Sequence, residues 1–175
     1  MVKETNITQK ITSKNTSIAT INKIYKLIPE MEYQAGTTIL DYGCGAYNKN
    51  KEYANDYNYL WFGYDPYNRT EKYNNSTLLW LENTKPNIII CSNVLNVIAE
   101  DNVLMDVLGQ IYYYAGDNTD IYITIYEGDK SGIGKVTTKG YQRNEKLIKY
   151  RDYINEWFEV VEKVDSNIIK CRKVV

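Results

Sequence analysis

Thr38-Ile39-Leu40-Asp41-Tyr42-Gly43-Cys44-Gly45 decides the fold of this chain. A short apolar run leads into an acid and then into two glycines one residue apart. That is the pattern of a buried strand ending in a turn where backbone must come close to another group. The next apolar run, Leu60-Trp61-Phe62-Gly63-Tyr64, closes on Asp65. A glycine turn after one strand and a carboxylate after the next is the layout of a nucleoside-binding α/β site. Asp65 can accept the two hydrogen bonds that a ribose diol supplies. Pro66 and Tyr67 beside it offer flat apolar surface for a purine ring. The dinucleotide fingerprint would place a third glycine where this chain has Asn48, so a nicotinamide or flavin cofactor is disfavoured.

Working outward, Ile18, Ile21, Ile24, Tyr25 and Ile28 have helical spacing, with Ser17 as cap and Pro29 as stop. Strands are predicted over 37–42 and 59–65, with a helix over 49–57 between them. Residues 76–81 read as a third strand. The continuous apolar run 87–91 reads as a strand buried on both faces. Val103, Leu104, Val107, Leu108, Ile111 and Tyr112 define a helix over 100–115 with a broad apolar face. A strand over 120–126, a glycine- and lysine-rich loop over 127–140 and a polar helix over 145–157 follow. Two short strands, 158–163 and 167–173, close the chain about a turn at Asp165-Ser166. The alternation implies an α/β fold with a mostly parallel sheet and an antiparallel C-terminal hairpin. We expect one domain over 1–175, with residues 1–34 as an N-terminal helical extension.

The 175 residues carry 21 basic and 22 acidic side chains, so overall charge implies no polyanion partner. Histidine is absent, which removes the commonest general base and metal ligand. Cys44, Cys91 and Cys171 are too scattered for a zinc site, and no metal is expected. They read as reduced thiols of a cytoplasmic protein. No run is long enough to span a membrane, and the first residues lack the order of a secretion signal.

Ile39-Leu40-Asp41-Tyr42-Gly43-Cys44-Gly45 resembles the first motif of class I S-adenosylmethionine-dependent methyltransferases, and Gly63-Tyr64-Asp65 resembles their second. The segment 88–98 occupies the place of their fourth motif. The stretch 132–144 is similar to small methyltransferase-like proteins of phages and of DNA-modification gene clusters. The resemblance spans about residues 35–175 and implies a Rossmann-like doubly wound sheet with S-adenosyl-L-methionine as cofactor. It implies that Gly43 and Gly45 lie under the methionine part and ribose, that Asp41 orients the amino group through water, and that Asp65, with Pro66 beside it, holds the ribose. It further implies that Ser92 and Asn93 sit across the crevice near the transferring methyl, as cofactor-binding and catalytic residues. The family's third-motif acid has only Glu82 and Asn83 as candidates here.

Methyl transfer from a sulfonium is an in-line displacement that chiefly requires alignment of the acceptor. Amino-methylating nucleic-acid enzymes carry Asp/Asn/Ser-Pro-Pro-aromatic after the fourth strand; here Ser92-Asn93-Val94-Leu95 stands there. Cytosine C5 chemistry needs a Pro-Cys nucleophile, whereas Ile90 precedes Cys91. Gly128 to Val136 departs from a phosphate loop in spacing and in lacking Ser or Thr after Lys135. Residues 129–151 hold seven cations and two acids, a net +5 in a chain of net −1. Lys135, Lys139, Tyr141 and Arg143 are the candidates there for nucleic-acid binding, by stacking and by phosphate contact. The favoured function is therefore a methyltransferase acting on a nucleic-acid base or nucleotide. The alternatives are an inactive methyltransferase-fold module with a protein partner and a small-molecule methyltransferase with an N-terminal lid.

Overall fold

The computed structural model describes residues 18–174. Helix α1 (Lys23–Leu27) runs into a 3-10 turn (Ile28–Glu30) and leads to β1 (Thr38–Tyr42). Then come α2 (Lys49–Asp56), β2 (Leu60–Tyr64), α3 (Glu71–Asn83), β3 (Ile88–Ser92), α4 (Asp101–Tyr114) and β4 (Asp120–Thr124). A two-stranded ribbon, β5 (Lys135–Thr137) and β6 (Gly140–Gln142), precedes α5 (Leu147–Asn155), β7 (Phe158–Asp165) and β8 (Ile168–Lys173).

The main sheet has the order β2-β1-β3-β4-β8-β7. β1 pairs in parallel with β2 and β3, and β3 with β4. β8 runs antiparallel to both β4 and β7. Strand periodicity divides the core. Leu40, Ile89, Ile121 and Ile123 pack with Leu104, Leu108 and Ile111 of α4 and with Tyr150 and Ile154 of α5. Ile39, Ile88, Ile90 and Tyr122 face the other way, against Ile24 and Tyr25 of α1 and Ala54 of α2. Alternate residues of a strand point to opposite faces, so continuous apolar runs are needed where both faces are covered.

Two expectations are corrected. Residues 76–81 are helical, lying inside α3. Thr70 caps that helix, its side chain accepting from Tyr73 N at 3.2 Å. Its buried positions are Asn74, Thr77 and Leu81, a helical spacing. Asn74 donates to Asp65 O and accepts from Asp65 N, both at 3.0 Å, and Thr77 Oγ1 donates to Gly63 O at 2.7 Å. The helix thus satisfies backbone groups on the outer edge of β2, where a third strand would have paired. The N-terminal helix is also shorter than its apolar spacing implies. Pro29 sits in the first turn of the 3-10 segment and not after the helix, and the proposed cap Ser17 lies outside the described residues. Pro tolerates that place because a first-turn N–H has no partner to lose.

Candidate functional site

A cavity of about 750 Å³ opens at the C-terminal ends of β1, β2 and β3. It brings together Gly43, Gly45, Asp65, Pro66, Ser92 and Asn93, with Lys135, Lys139 and Tyr141 of the ribbon on its rim. Asp41 and Arg143 are not among the lining residues.

The glycine turn is built for close approach. Gly43 has φ +79° and Gly45 φ +70°. A Cβ on Gly43 would run into Val94 Cγ2, so a side chain there meets both strain and a clash. The N–H groups of Gly43 and Cys44 both donate to Tyr64 O, at 2.7 and 3.2 Å. Gly45 N donates to Asp65 Oδ2 at 2.9 Å. Arg69 grips the far side, its Nε donating to Gly45 O at 2.7 Å and its Nη2 to Tyr47 O at 2.8 Å.

Asp65 is buried and heavily engaged. Its Oδ1 accepts from Tyr67 N and Asn68 N, each at 2.9 Å, while Asn68 Nδ2 reaches both oxygens at 3.2 and 3.1 Å. The carboxylate therefore closes its own turn and also ties that turn to the glycines. A sugar diol would share these oxygens with the protein's own donors.

Asp41 is 1% exposed and lies behind the turn. Its Oδ2 accepts from Tyr25 Oη at 2.8 Å and from Asn50 Nδ2 at 3.1 Å, and Trp61 Nε1 donates to Tyr25 Oη at 2.7 Å. Burial raises its pKa to about 6, against the pull of the Tyr25 and Asn50 hydrogen bonds, which favour the carboxylate. Asn50 Oδ1 accepts from Asn22 N at 3.0 Å, which fixes the strand-like entry to α1 against the cavity. Cys44 sits within the turn, and burial pushes its thiol well up, so it is a poor nucleophile.

Ser92 ends β3 and Asn93 follows it. Ser92 Oγ and Asn93 Oδ1 are buried without a hydrogen-bond partner among the described residues, as is Thr124 Oγ1 at the end of neighbouring β4. Asn93 holds φ +59° and donates its N–H to Thr124 O at 2.9 Å. Orphaned polar atoms at the wall of a cavity are what a ligand would complete.

The basic segment carries less free charge than its composition implies. Lys135 Nζ pairs with Asp129 at 2.8 Å and Lys130 with Glu127 at 3.3 Å. Arg143, expected at a phosphate, is a buried brace. Its guanidinium binds Asp101 at 2.5 Å, Glu145 at 2.9 Å and Ile98 O at 3.0 Å. Next to it Gln142 Oε1 accepts from Asn96 Nδ2 at 3.0 Å, and Gln142 Nε2 donates to Tyr126 O at 2.8 Å. These contacts rivet the ribbon to the segment after β3. The glycines that imitate a phosphate loop are explained by packing, because a Cβ on Gly134 would strike the Tyr141 hydroxyl. Lys139 lines the cavity with no acidic partner among the described residues. Glu82 and Asn83 sit exposed at the end of α3 and do not reach the cavity.

Sequence reasoning missed Asn22 and Asn50, which carry no motif; only the place of Asn50 in the first turn after the glycines marks it. It also missed Gln110, whose Oε1 accepts from Tyr42 Oη at 2.7 Å at the cavity wall. Among the described residues there is no metal-binding cluster of His, Cys, Asp and Glu, and no helix is long and apolar enough to cross a membrane.

No protein-family model matches the sequence, and none of the curated proteins does. Solved structures do match. A TehB-like S-adenosylmethionine-dependent methyltransferase from Corynebacterium glutamicum superposes with a TM-score of 0.54 at 18% identity, covering 86% of each chain. An S-adenosylmethionine-dependent methyltransferase from Aquifex aeolicus gives 0.58 at 14% identity, over 87% of this chain and 90% of that one. The 1,6-didemethyltoxoflavin-N1-methyltransferase of Burkholderia thailandensis, solved with S-adenosylhomocysteine, gives 0.56 at 12% identity over 81% and 72%. At such identities the likeness establishes architecture: the chain has the fold of class I methyltransferases, a mostly parallel sheet ending in antiparallel C-terminal strands.

Proposed function

We propose that this protein is an S-adenosylmethionine-dependent methyltransferase whose acceptor is a nucleic-acid base or nucleotide. The observation that carries the reading is the cavity itself. It joins a glycine turn, a buried carboxylate at the next strand end and two orphaned polar atoms across the crevice, on a fold shared with methyltransferases. When bound, the cofactor supplies an activated methyl on a sulfonium. Gly43 and Gly45 let the chain pass beneath it, Asp65 and Pro66 meet the ribose and ring, and Ser92 and Asn93 align the acceptor. Ser92 Oγ and Asn93 Oδ1 are suited to receive the N–H groups of an amine.

For the acceptor, Tyr141 offers a stacking face and Lys139 an unpaired cation on the same rim. The internal ion pairs of Lys130, Lys135 and Arg143 favour an acceptor that makes few phosphate contacts. The three unpaired cysteines accord with a reducing cytoplasm, and the 132–144 segment with a phage or DNA-modification setting. Calorimetric titration with S-adenosylmethionine and its demethylated product tests the cofactor half; no heat and no rise in melting temperature would end it. Labelled methyl transfer to nucleotides and to oligonucleotides tests the acceptor half.

Two observations favour a second reading, a binding module that keeps the fold without turnover and has a protein partner. Both oxygens of Asp65 already accept from the protein's own donors, and no Pro-Pro motif follows β3. An enzyme would release demethylated cofactor when given acceptor; a module would bind and release none.

A further inference from the structure

Asn22 precedes α1 and lines the cavity, far in sequence from every motif. Its Oδ1 is buried and has no hydrogen-bond partner among the described residues. The residue is held in place from behind. Its N–H donates to Asn50 Oδ1 at 3.0 Å, and Asn50 Nδ2 donates to Asp41 Oδ2 at 3.1 Å. The order of donors fixes the amide of Asn50, because its NH₂ must face the carboxylate and its oxygen must face Asn22. A chain of hydrogen bonds thus runs from the acid before the glycine turn to a residue at the cavity wall.

The chain ends on the Asn22 N–H, and the side-chain Oδ1 of the same residue is left as an unpartnered acceptor that calls for a donor from a ligand. Its electrostatics call for a charged one. Asp41 is buried, and the groups bonded to it, Tyr25 and Asn50, are neutral. Asp65 follows the next strand and adds to the negative potential. The cation at the start of α2, Lys49, is half-exposed and paired with Glu52 at 3.0 Å. Of the donors on an adenosylmethionine-like nucleoside, the ribose hydroxyls and the ring amine are neutral. The sulfonium is positive but donates no hydrogen bond, so the ammonium of the amino-acid end is the one donor that also carries positive charge.

We infer that Asn22 receives the ammonium of the bound nucleoside's amino-acid end on its Oδ1, with Asn50 and Asp41 as positioning residues behind it. The inference rests on the adenosylmethionine reading above. It moves recognition of the amino group from Asp41, which the structure buries away from the cavity, to a residue outside the motif region. It also makes the stretch before α1 part of the site.

The test compares two ligands by calorimetry. S-adenosylhomocysteine carries the amino-acid end; 5′-methylthioadenosine carries the same nucleoside and thioether without it. Asn22→Ala should weaken S-adenosylhomocysteine about tenfold, the scale of one hydrogen bond to a charged group, and leave 5′-methylthioadenosine unchanged. Asn22→Asp keeps the shape and the acceptor oxygen, so it should retain at least the parent's preference for the amino-acid ligand. Ligand discrimination is a ratio that a general loss of folding would not move. Equal losses for both ligands, or no loss for either, overturn the assignment of Asn22 while leaving the cofactor reading intact. Failure of the parent to bind either ligand overturns both.

Discussion

Gly45 and Asp65, twenty positions apart in sequence, meet in a 2.9 Å hydrogen bond from the glycine N–H to the Asp65 carboxylate. The two strand-end motifs are therefore one object. The same carboxylate accepts from Tyr67 N and Asn68 N. Asp65→Ala should leave several buried donors unsatisfied and lower stability by about 1–3 kcal/mol, together with at least tenfold weaker adenosylmethionine binding. Urea unfolding and calorimetry measure the two effects. Unchanged affinity in a folded variant would take Asp65 out of the site.

Gly43→Ala faces two separable penalties. The left-handed backbone costs about 1–2 kcal/mol, and the clash with Val94 adds an overpacking cost of roughly 1–3 kcal/mol. Pairing it with Val94→Ala should recover the clash and not the backbone strain. A double-mutant cycle in chemical denaturation reads the coupling directly; purely additive losses would show that Val94 does not limit the turn.

Asp41 makes stability depend on pH in an unusual direction for an acid. Burial raises its folded pKa to about 6, from 3.8. Between these values the folded chain holds the proton more tightly than the unfolded chain does. Its contribution is therefore fully present below pH 3.8 and is lost as pH rises towards 6, by at most about 3 kcal/mol. Asp101, Glu127 and Asp129 are shifted downward by their hydrogen bonds and act in the opposite sense. The Asp41 share is isolated by comparison with Asp41→Asn: the variant should gain on the parent as pH goes from 4 to 7. A constant gap would contradict it.

Arg143 and Lys139 should separate cleanly. Arg143→Ala removes the brace between the ribbon and the start of α4 and should cost about 2–4 kcal/mol, with faster hydrogen exchange over 135–142. Lys139→Ala removes an exposed side chain and should change stability by less than about 0.5 kcal/mol while weakening the acceptor. The loss of one phosphate contact would also reduce the salt dependence of acceptor binding by about one unit of slope.

The parallel sheet was legible because β1 and β3 are buried on both faces and so carry consecutive apolar residues, Ile39-Leu40 and Ile88 to Cys91, while the edge strand β2 is apolar although Leu60 is exposed. The stretch 76–81, with Leu78-Leu79-Trp80-Leu81, has the same look and belongs to a helix. Periodicity over so short a stretch cannot separate the two, and the deciding signals were the Thr70 cap and the polar Asn74 and Thr77 reaching back to β2. The glycine turn and Asp65 announced themselves because chemistry and spacing agree. Charge did not: Lys135 and Arg143 count as cations in sequence, but their acids, Asp129, Asp101 and Glu145, claim them only in three dimensions. Asn22 gave no signal, and Asn50 only its place in the first turn after the glycines, because an amide becomes informative only when its partner, or the lack of one, is known.

Arg69 has a consequence for how anything enters. With Asp65 holding the nitrogen of Gly45 and Arg69 its oxygen, the cradle has its final shape in advance. Capture is then docking onto a finished mould, with little loop entropy to overcome, and rival ligands would differ chiefly in how long they stay.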